Sequence, residues 1–302
     1  MKIAILGPGG VGGLLTAALE RAGTPPTVIA SETTTATIAE HGIRLQSVRF
    51  GELVAHPPVV TLLDEHVDAL IVATKAVGLD VALQRVHGEP GLVLPLLNGL
   101  DHLAVLRRRF APETVLAGAI RVESDRPEPG VVVHTSPFLR IDMAGDAGHA
   151  EAIAELAATF EHAEVPVRVL DSEPFVMWSK LVRLNALACT TSAFDMQLGA
   201  ILSTPELRAE LVGAIEEGCA VAQAEGAPIS ADDPLGELSA AHPSLGSSMQ
   251  RDIAAGRMPE LDAIPGSVLR AAARHRIACP TIERLTAAIA KRAGVPMPLM
   301  SV

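Results

Sequence analysis

The stretch Lys2-Ile3-Ala4-Ile5-Leu6-Gly7-Pro8-Gly9-Gly10-Val11-Gly12 decides the fold. An apolar run meets a cluster of glycines, and helical spacing follows in Val11, Leu14, Leu15, Ala18 and Leu19, stopping near Gly23. A short continuous apolar run bounded by glycine reads as a buried strand. The glycines fit GxGxxG between that strand and a helix, the context that gives the motif meaning. Gly7 permits the turn, Gly9 lets backbone approach a pyrophosphate, and Gly12 lets the helix pack closely on the sheet. The helix start, with Pro8, Gly10 and Val11 beside it, offers N–H groups and a positive dipole end to phosphates. A glycine-rich turn without a ligand is the plainer alternative, and the strand–motif–helix order weighs against it.

Outward from this stretch, short apolar runs at 27–30, 43–48, 67–74 and 91–97 read as further strands. Helix-like segments at 79–87 and 102–110 follow the last two. Strands alternating with helices mean βαβ units and a parallel sheet. Runs at 115–120, 131–134 and 139–143 have short connections, and we expect them to extend the sheet in an antiparallel sense. A helix over 148–163 and a strand at 167–170 complete this half. From about residue 173 strand signals stop, and helical patterns run over 173–200, 205–226, 245–256, 260–276 and 280–292. The expected architecture is an α/β Rossmann-type doubly wound sheet domain over 1–171, followed by an all-α helical domain over 172–302.

Composition narrows the function. The chain has 302 residues, 49% hydrophobic and 20% charged, enough to bury a sizeable core. With 24 basic and 35 acidic side chains the net charge is −11, which gives no electrostatic reason to seek nucleic acid or anionic lipid. Aromatics make up 2%, a poor supply for stacking bases. Cys189, Cys219 and Cys279 form no CxxC, so they read as buried small hydrophobes in a reducing compartment. The histidines show no metal-site pairing, and Ser192 lies in no GxSxG elbow. No run reaches the ~18 apolar residues of a membrane span, and the N-terminal apolar stretch is too short for a signal peptide. A cytoplasmic protein is the expectation. An exposed Leu/Ala face on a C-terminal helix fits either a homodimer seam or internal packing.

The kind of nucleotide turns on the end of the second strand, Ser31-Glu32-Thr33-Thr34-Thr35. Glu32 lies 20 residues after Gly12, the distance at which an acid holds the ribose hydroxyls of NAD. The hydroxyl run could instead bond a 2′-phosphate, with Lys75, at the end of the next buried strand, supplying positive charge.

Several patterns now fall in order: GxGxxG at the start, Thr74-Lys75-Ala76, Leu97-Asn98-Gly99, Trp178-Ser179-Lys180-Leu181, Ser247-Ser248-Met249, and Glu260-Leu261-Asp262 twelve residues after Ser248. In this order and spacing the chain resembles the ketopantoate reductase (2-dehydropantoate 2-reductase) family, over almost its whole length. The resemblance implies NADPH-dependent reduction of a small 2-oxo acid, ketopantoate to pantoate in pantothenate biosynthesis. It implies that Lys180 is the catalytic proton donor and that Glu260 pairs with it and hydrogen-bonds substrate. It further implies that Asn98 touches cofactor and substrate, and that Ser248 holds the substrate carboxylate. The plain alternatives are a helix-surface lysine, a first-turn acid (Glu260), a turn residue before Gly99 (Asn98) and a helix N-cap (Ser248).

Departures qualify this. Ser31 stands where the family commonly has an arginine for the 2′-phosphate, so NADP(H) is the expected cofactor and NAD(H) stays open. Leu184 and Ala188 stand where pocket asparagines are usual, and Leu245 stands at another. Asn185 is one residue away, ~100° around a helix, and takes over a substrate-binding role only if the register shifts. A relative reducing another carbonyl, and a non-catalytic NAD(P)-binding regulator, are therefore the competing readings.

Overall fold

The computed structural model describes residues 1–300. These fall into two compact units. The first comprises residues 1–97 and 102–176, and the second comprises 98–101 with the chain from Met177 onward.

In chain order the first unit runs β1 (Ile3–Leu6), α1 (Gly10–Arg21), β2 (Thr27–Ile29), α2 (Glu32–His41), β3 (Ile43–Ser47), β4 (Gly51–Ala55), β5 (Val59–Val60) and β6 (Ala69–Val72). It continues with α3 (Leu79–Leu83), β7 (Leu92–Pro95), α4 (His102–Arg109), β8 (Ala117–Arg121), β9 (Ser124–Glu128), β10 (Val131–His134), β11 (Arg140–Ala144), α5 (Ala150–His162) and β12 (Val167–Val169). The main sheet has order β5-β2-β1-β6-β7, and its paired strands are all parallel.

Strand residues alternate between two cores. Ile3, Ile5, Val28, Ala69, Ile71, Leu92 and Leu94 face α1 and α5, where Leu14, Leu15, Leu156 and Phe160 are buried. Ala4, Leu6, Ile29, Leu70, Val72 and Val93 face the other way, onto Leu79, Leu83, Leu106 and Phe110. Because both faces are covered, each strand reads as an unbroken apolar run. The chain order reverses between β1 and β6, and such a switch point, at the carboxyl ends of the strands, is where doubly wound sheets bind ligands.

The expected antiparallel extension does not form. The later strands build two further sheets, β4-β3-β10-β9 and β12-β11-β8. The edge of β7 explains part of this. Leu92 and Leu96 donate to the Asp68 and Val72 carbonyls, so the backbone N positions of Val93 and Pro95 are on the outer edge. Val93 pairs with Val115 in one isolated bridge, but Pro95 has no N–H to continue the ladder. On β3, moreover, only alternate residues are buried, the pattern of a one-faced sheet. The polar segments α2 and β9, the five-residue β4, whose adjacent Leu53, Val54 and Ala55 show no alternation, and the two-residue β5 carry too little pattern to be read.

The second unit is helical: α6 (Glu173–Phe194, here from Met177), α7 (Leu198–Ser203), α8 (Pro205–Ala224), α9 (Asp232–Ser239), α10 (Ser248–Ala254), α11 (Ser267–His275) and α12 (Pro280–Ala293). Trp178, Leu187, Ile215, Val268 and Leu285 belong to its single core. Trp178 is 2% exposed, and truncating so large a buried side chain to alanine costs about 3–5 kcal/mol. The apolar face of α12 (Ile282, Leu285, Ile289) is spent on this core, so it is internal packing. The long pattern over 260–276 is interrupted. A π-helical turn spans Asp262–Gly266 because Pro265 cannot donate, and the Gly266 N–H reaches back to the Leu261 carbonyl at 3.0 Å. No helix of the described residues is long and apolar enough to cross a membrane.

Candidate active site

The glycine segment sits where the sheet reverses. Gly7 to Gly9 link β1 to α1, with Gly9 at the N-cap. The cap has no side chain and the first turn no acid, so the first N–H groups of the helix face no carboxylate of their own element. A Cβ on Gly12 would lie 2.2 Å from the Gly7 carbonyl oxygen, so the helix can sit this close to the strand only with glycine there. This cradle fits a dinucleotide pyrophosphate. Ser124 of β9 flanks it, donating from its hydroxyl to the Gly10 carbonyl at 2.8 Å. Lys75 is exposed just after β6, next to Thr74, which borders Gly7.

At the end of β2, Ser31 is spent locally. It is the N-cap of α2: its Oγ accepts from the Thr34 N–H and donates to Thr34 Oγ1. Glu32 opens α2 and is gripped in a fork by Arg85, Nη1 to Oε1 and Nη2 to Oε2, each at 3.1 Å. The Arg85 hydrogen bonds hold the Glu32 carboxyl below its ordinary pKa. Sequence reasoning passed over Arg85, which stands 53 residues away in a segment without a motif.

The second polar centre lies in the helical unit and joins three expected residues. Lys180, on α6, donates from Nζ to Asn98 Oδ1 at 2.8 Å. Asn98 Nδ2 donates to Glu260 Oε2 at 2.9 Å. The expected lysine–glutamate pair is thus linked through Asn98. An ammonium offers only donors and an ionised carboxylate only acceptors, so the amide has one workable orientation. The segment carrying Asn98 is held tightly. Gly99 has φ +86° and lies against the backbone of the π-turn, where a Cβ would be 2.0 Å from the Ala263 carbonyl oxygen. The buried Arg270 donates to Asp101 Oδ2 at 2.6 Å, to Asp262 Oδ1 at 2.8 Å, and to the Asp262 and Leu299 carbonyls. One guanidinium therefore ties down both the 98–101 segment and the residues after Glu260. Burial opposes its charge, but Asp262 and Asp101 outweigh it and raise its pKa.

Asn185 and Ser248 complete the expected set. Asn185 is fully buried, with Oδ1 accepting from Cys189 Sγ at 3.4 Å. Helix α6 runs from Glu173 to Phe194, while the half-buried Leu184 keeps the position one turn from Lys180. Ser248 is exposed as the first residue of α10. The capping belongs to Ser247, which accepts from the Gln250 N–H and from Thr191 Oγ1. The three cysteines are buried, and desolvation pushes their thiols up to about 12, 11 and 12 for Cys189, Cys219 and Cys279.

Comparison with known proteins gives this geometry its context. Residues 3–144 match the family described as ketopantoate reductase PanE/ApbA, and residues 176–300 match its C-terminal region. The chain belongs to the ketopantoate reductase family. It is 30% identical over 296 residues to a 2-dehydropantoate 2-reductase of Halobacterium salinarum, covering 94% of this chain and 96% of that one. The solved structure of a 2-dehydropantoate 2-reductase from Geobacter metallireducens superposes with a TM-score of 0.88 at 27% identity, covering 96% of this chain and 99% of that one. A D-mandelate dehydrogenase solved with NADH and anilino(oxo)acetate shares the fold, with a TM-score of 0.88 at 21% identity over 97% and 99% of the two chains. As a ketopantoate reductase family member the chain is an oxidoreductase acting on a C=O/CH–OH pair with a nicotinamide cofactor.

Proposed function

We propose that the chain reduces ketopantoate to pantoate with NADPH, and that Lys180 supplies the proton. The Lys180–Asn98–Glu260 hydrogen-bonded chain carries this reading. When bound, the nicotinamide supplies a hydride to the carbonyl carbon. Charge then develops on the carbonyl oxygen. The Lys180 ammonium stabilises it electrostatically and delivers the proton that completes the alcohol. Asn98 holds the ammonium by its amide oxygen, and Glu260 fixes the amide from its other side. Gly7 to Gly12 bind the pyrophosphate, and Ser248, exposed at the start of α10, is the group we assign to the substrate carboxylate.

The test is NADPH oxidation with ketopantoate, followed by nicotinamide absorbance. Turnover that is lost in Lys180→Ala while NADPH binding persists supports the reading, and full activity in Lys180→Ala refutes it. A second reading rests on Leu184 and Ala188. These apolar side chains replace amides, so the pocket discriminates less for a hydroxylated substrate and suits a more apolar 2-oxo acid. Faster turnover of an aryl or branched 2-oxo acid than of ketopantoate would favour it.

A further inference from the structure

The Arg85–Glu32 fork has no part in the reduction chemistry described above, yet it stands at the cofactor-reading end of the first unit. Glu32 is the first residue of α2, directly after β2 and the Ser31 cap. In a Rossmann sheet an acid there meets the adenosine ribose hydroxyls, and it repels a 2′-phosphate. Taken alone, Glu32 would exclude NADP.

Arg85 offsets that charge. Its backbone is fixed at the sheet edge, where the Leu63 N–H donates to the Arg85 carbonyl at 2.8 Å and Leu63 bridges to Val86. Its side chain then reaches to the end of β5, the neighbour of β2, with Nη1 donating to the Thr61 carbonyl at 3.1 Å as well as to Glu32. The guanidinium is thus anchored by backbone and is not merely a surface charge attracted to an acid. Glu32 is 75% exposed and the Arg85 side chain 24%, so the carboxylate is open to a ligand and the guanidinium is reached at its exposed edge. A planar guanidinium with its donors in a fork is suited to phosphate oxygens.

We infer that the Arg85–Glu32 pair is the cofactor selector of this protein: Arg85 takes the 2′-phosphate of NADPH, while Glu32 takes the ribose hydroxyls of NADH. The pair admits both cofactors, replacing the family's β2-end arginine, which is Ser31 here. The inference rests on the nicotinamide reading of the glycine cradle.

The experiment is calorimetric titration of the full chain with NADPH and with NADH, repeated for Arg85→Gln and Glu32→Gln. Glutamine at 85 keeps a polar side chain on the same aliphatic stem and removes the charge. A lost charged hydrogen bond corresponds to roughly tenfold or more in affinity. Arg85→Gln should therefore weaken NADPH about tenfold or more and leave NADH within about threefold. Glu32→Gln should weaken NADH and tighten NADPH, moving the preference in the opposite direction. Equal loss of both nucleotides in Arg85→Gln would make Arg85 a structural clamp and overturn the inference, as would no change in either. If the parent chain bound neither nucleotide, the nicotinamide reading itself would fall, which distinguishes the two failures.

Discussion

Gly99→Ala offers a demanding test of the site, because its expected effect follows from two distances. The added Cβ would stand 2.0 Å from the Ala263 carbonyl oxygen, whereas real Cβ contacts essentially never fall below 3.0 Å. Backbone on both sides must give by about 1 Å. The far end of the segment cannot absorb this, because Arg270 holds Asp101 at 2.6 Å. The displacement therefore passes to Asn98, whose bonds to Lys180 and Glu260 are 2.8 and 2.9 Å. Misplacing a positioning group by 1 Å costs about 10²-fold in rate, or roughly 2.7 kcal/mol of transition-state stabilisation. The left-handed φ adds a stability cost of about 1–2 kcal/mol. Gly51→Ala separates the two effects, since Gly51 has φ +73° but open space around its Cβ position. It should lower stability similarly and leave turnover intact. The assay is steady-state kcat with NADPH and ketopantoate, beside NADPH affinity and thermal unfolding. A Gly99→Ala protein that is folded and within threefold of parental kcat would refute the argument that this contact positions Asn98.

Other outcomes follow from the same structure. Lys180→Ala should lower kcat by about 10²–10⁴ while NADPH affinity changes little. Asn98→Asp sets a carboxylate where the amide donated to Glu260, so one of the two acids should titrate upward and the pH–rate profile should gain a new acid limb. Burial pushes the Asp142 carboxyl up, but hydrogen bonds from Arg168 and Arg140 pull harder and hold its pKa below the ordinary value. Its contribution is thus fully present above about pH 4 and is lost as pH falls through the depressed folded value. Asp142→Asn should cost about 3 kcal/mol in denaturant unfolding at neutral pH and flatten that acid dependence. Native protein at pH 8 should resist thiol alkylation, and mass spectrometry should find three labels only after denaturation, since all three cysteines are buried.

The sheet and the glycine cradle were legible because strands buried on both faces and a strand–GxGxxG–helix order leave a dense local signal. The Lys180–Asn98–Glu260 chain was legible residue by residue only through resemblance, since its members stand 82 and 162 positions apart. That Asn98 lies between lysine and glutamate is a matter of tertiary geometry that spacing does not encode. Arg85 was invisible for the same reason. Strand β9 hid because a polar strand on a one-faced sheet resembles a loop, and β4 because its three adjacent apolar residues show no alternation. The mistaken sheet extension came from reading apolar runs without asking whether the edge of β7 could donate. Asn185 marks where helix arithmetic stops: its side chain is fully buried with Oδ1 on the Cys189 thiol, while Leu184 keeps the place one turn from Lys180.

The membership of residues 98–101 in the helical unit has a consequence for how the gene can be cut. A fragment beginning near residue 172 would carry Lys180 and Glu260 but not the amide that joins them. Exchanging helical halves between relatives would likewise pair each Glu260 with a foreign Asn98 loop, whose fit depends on Gly99 against the π-turn and on Asp101 against Arg270. The unit of inheritance for this chemistry is therefore discontinuous. Residues 98–101 have to fit a turn some 160 residues later in the chain.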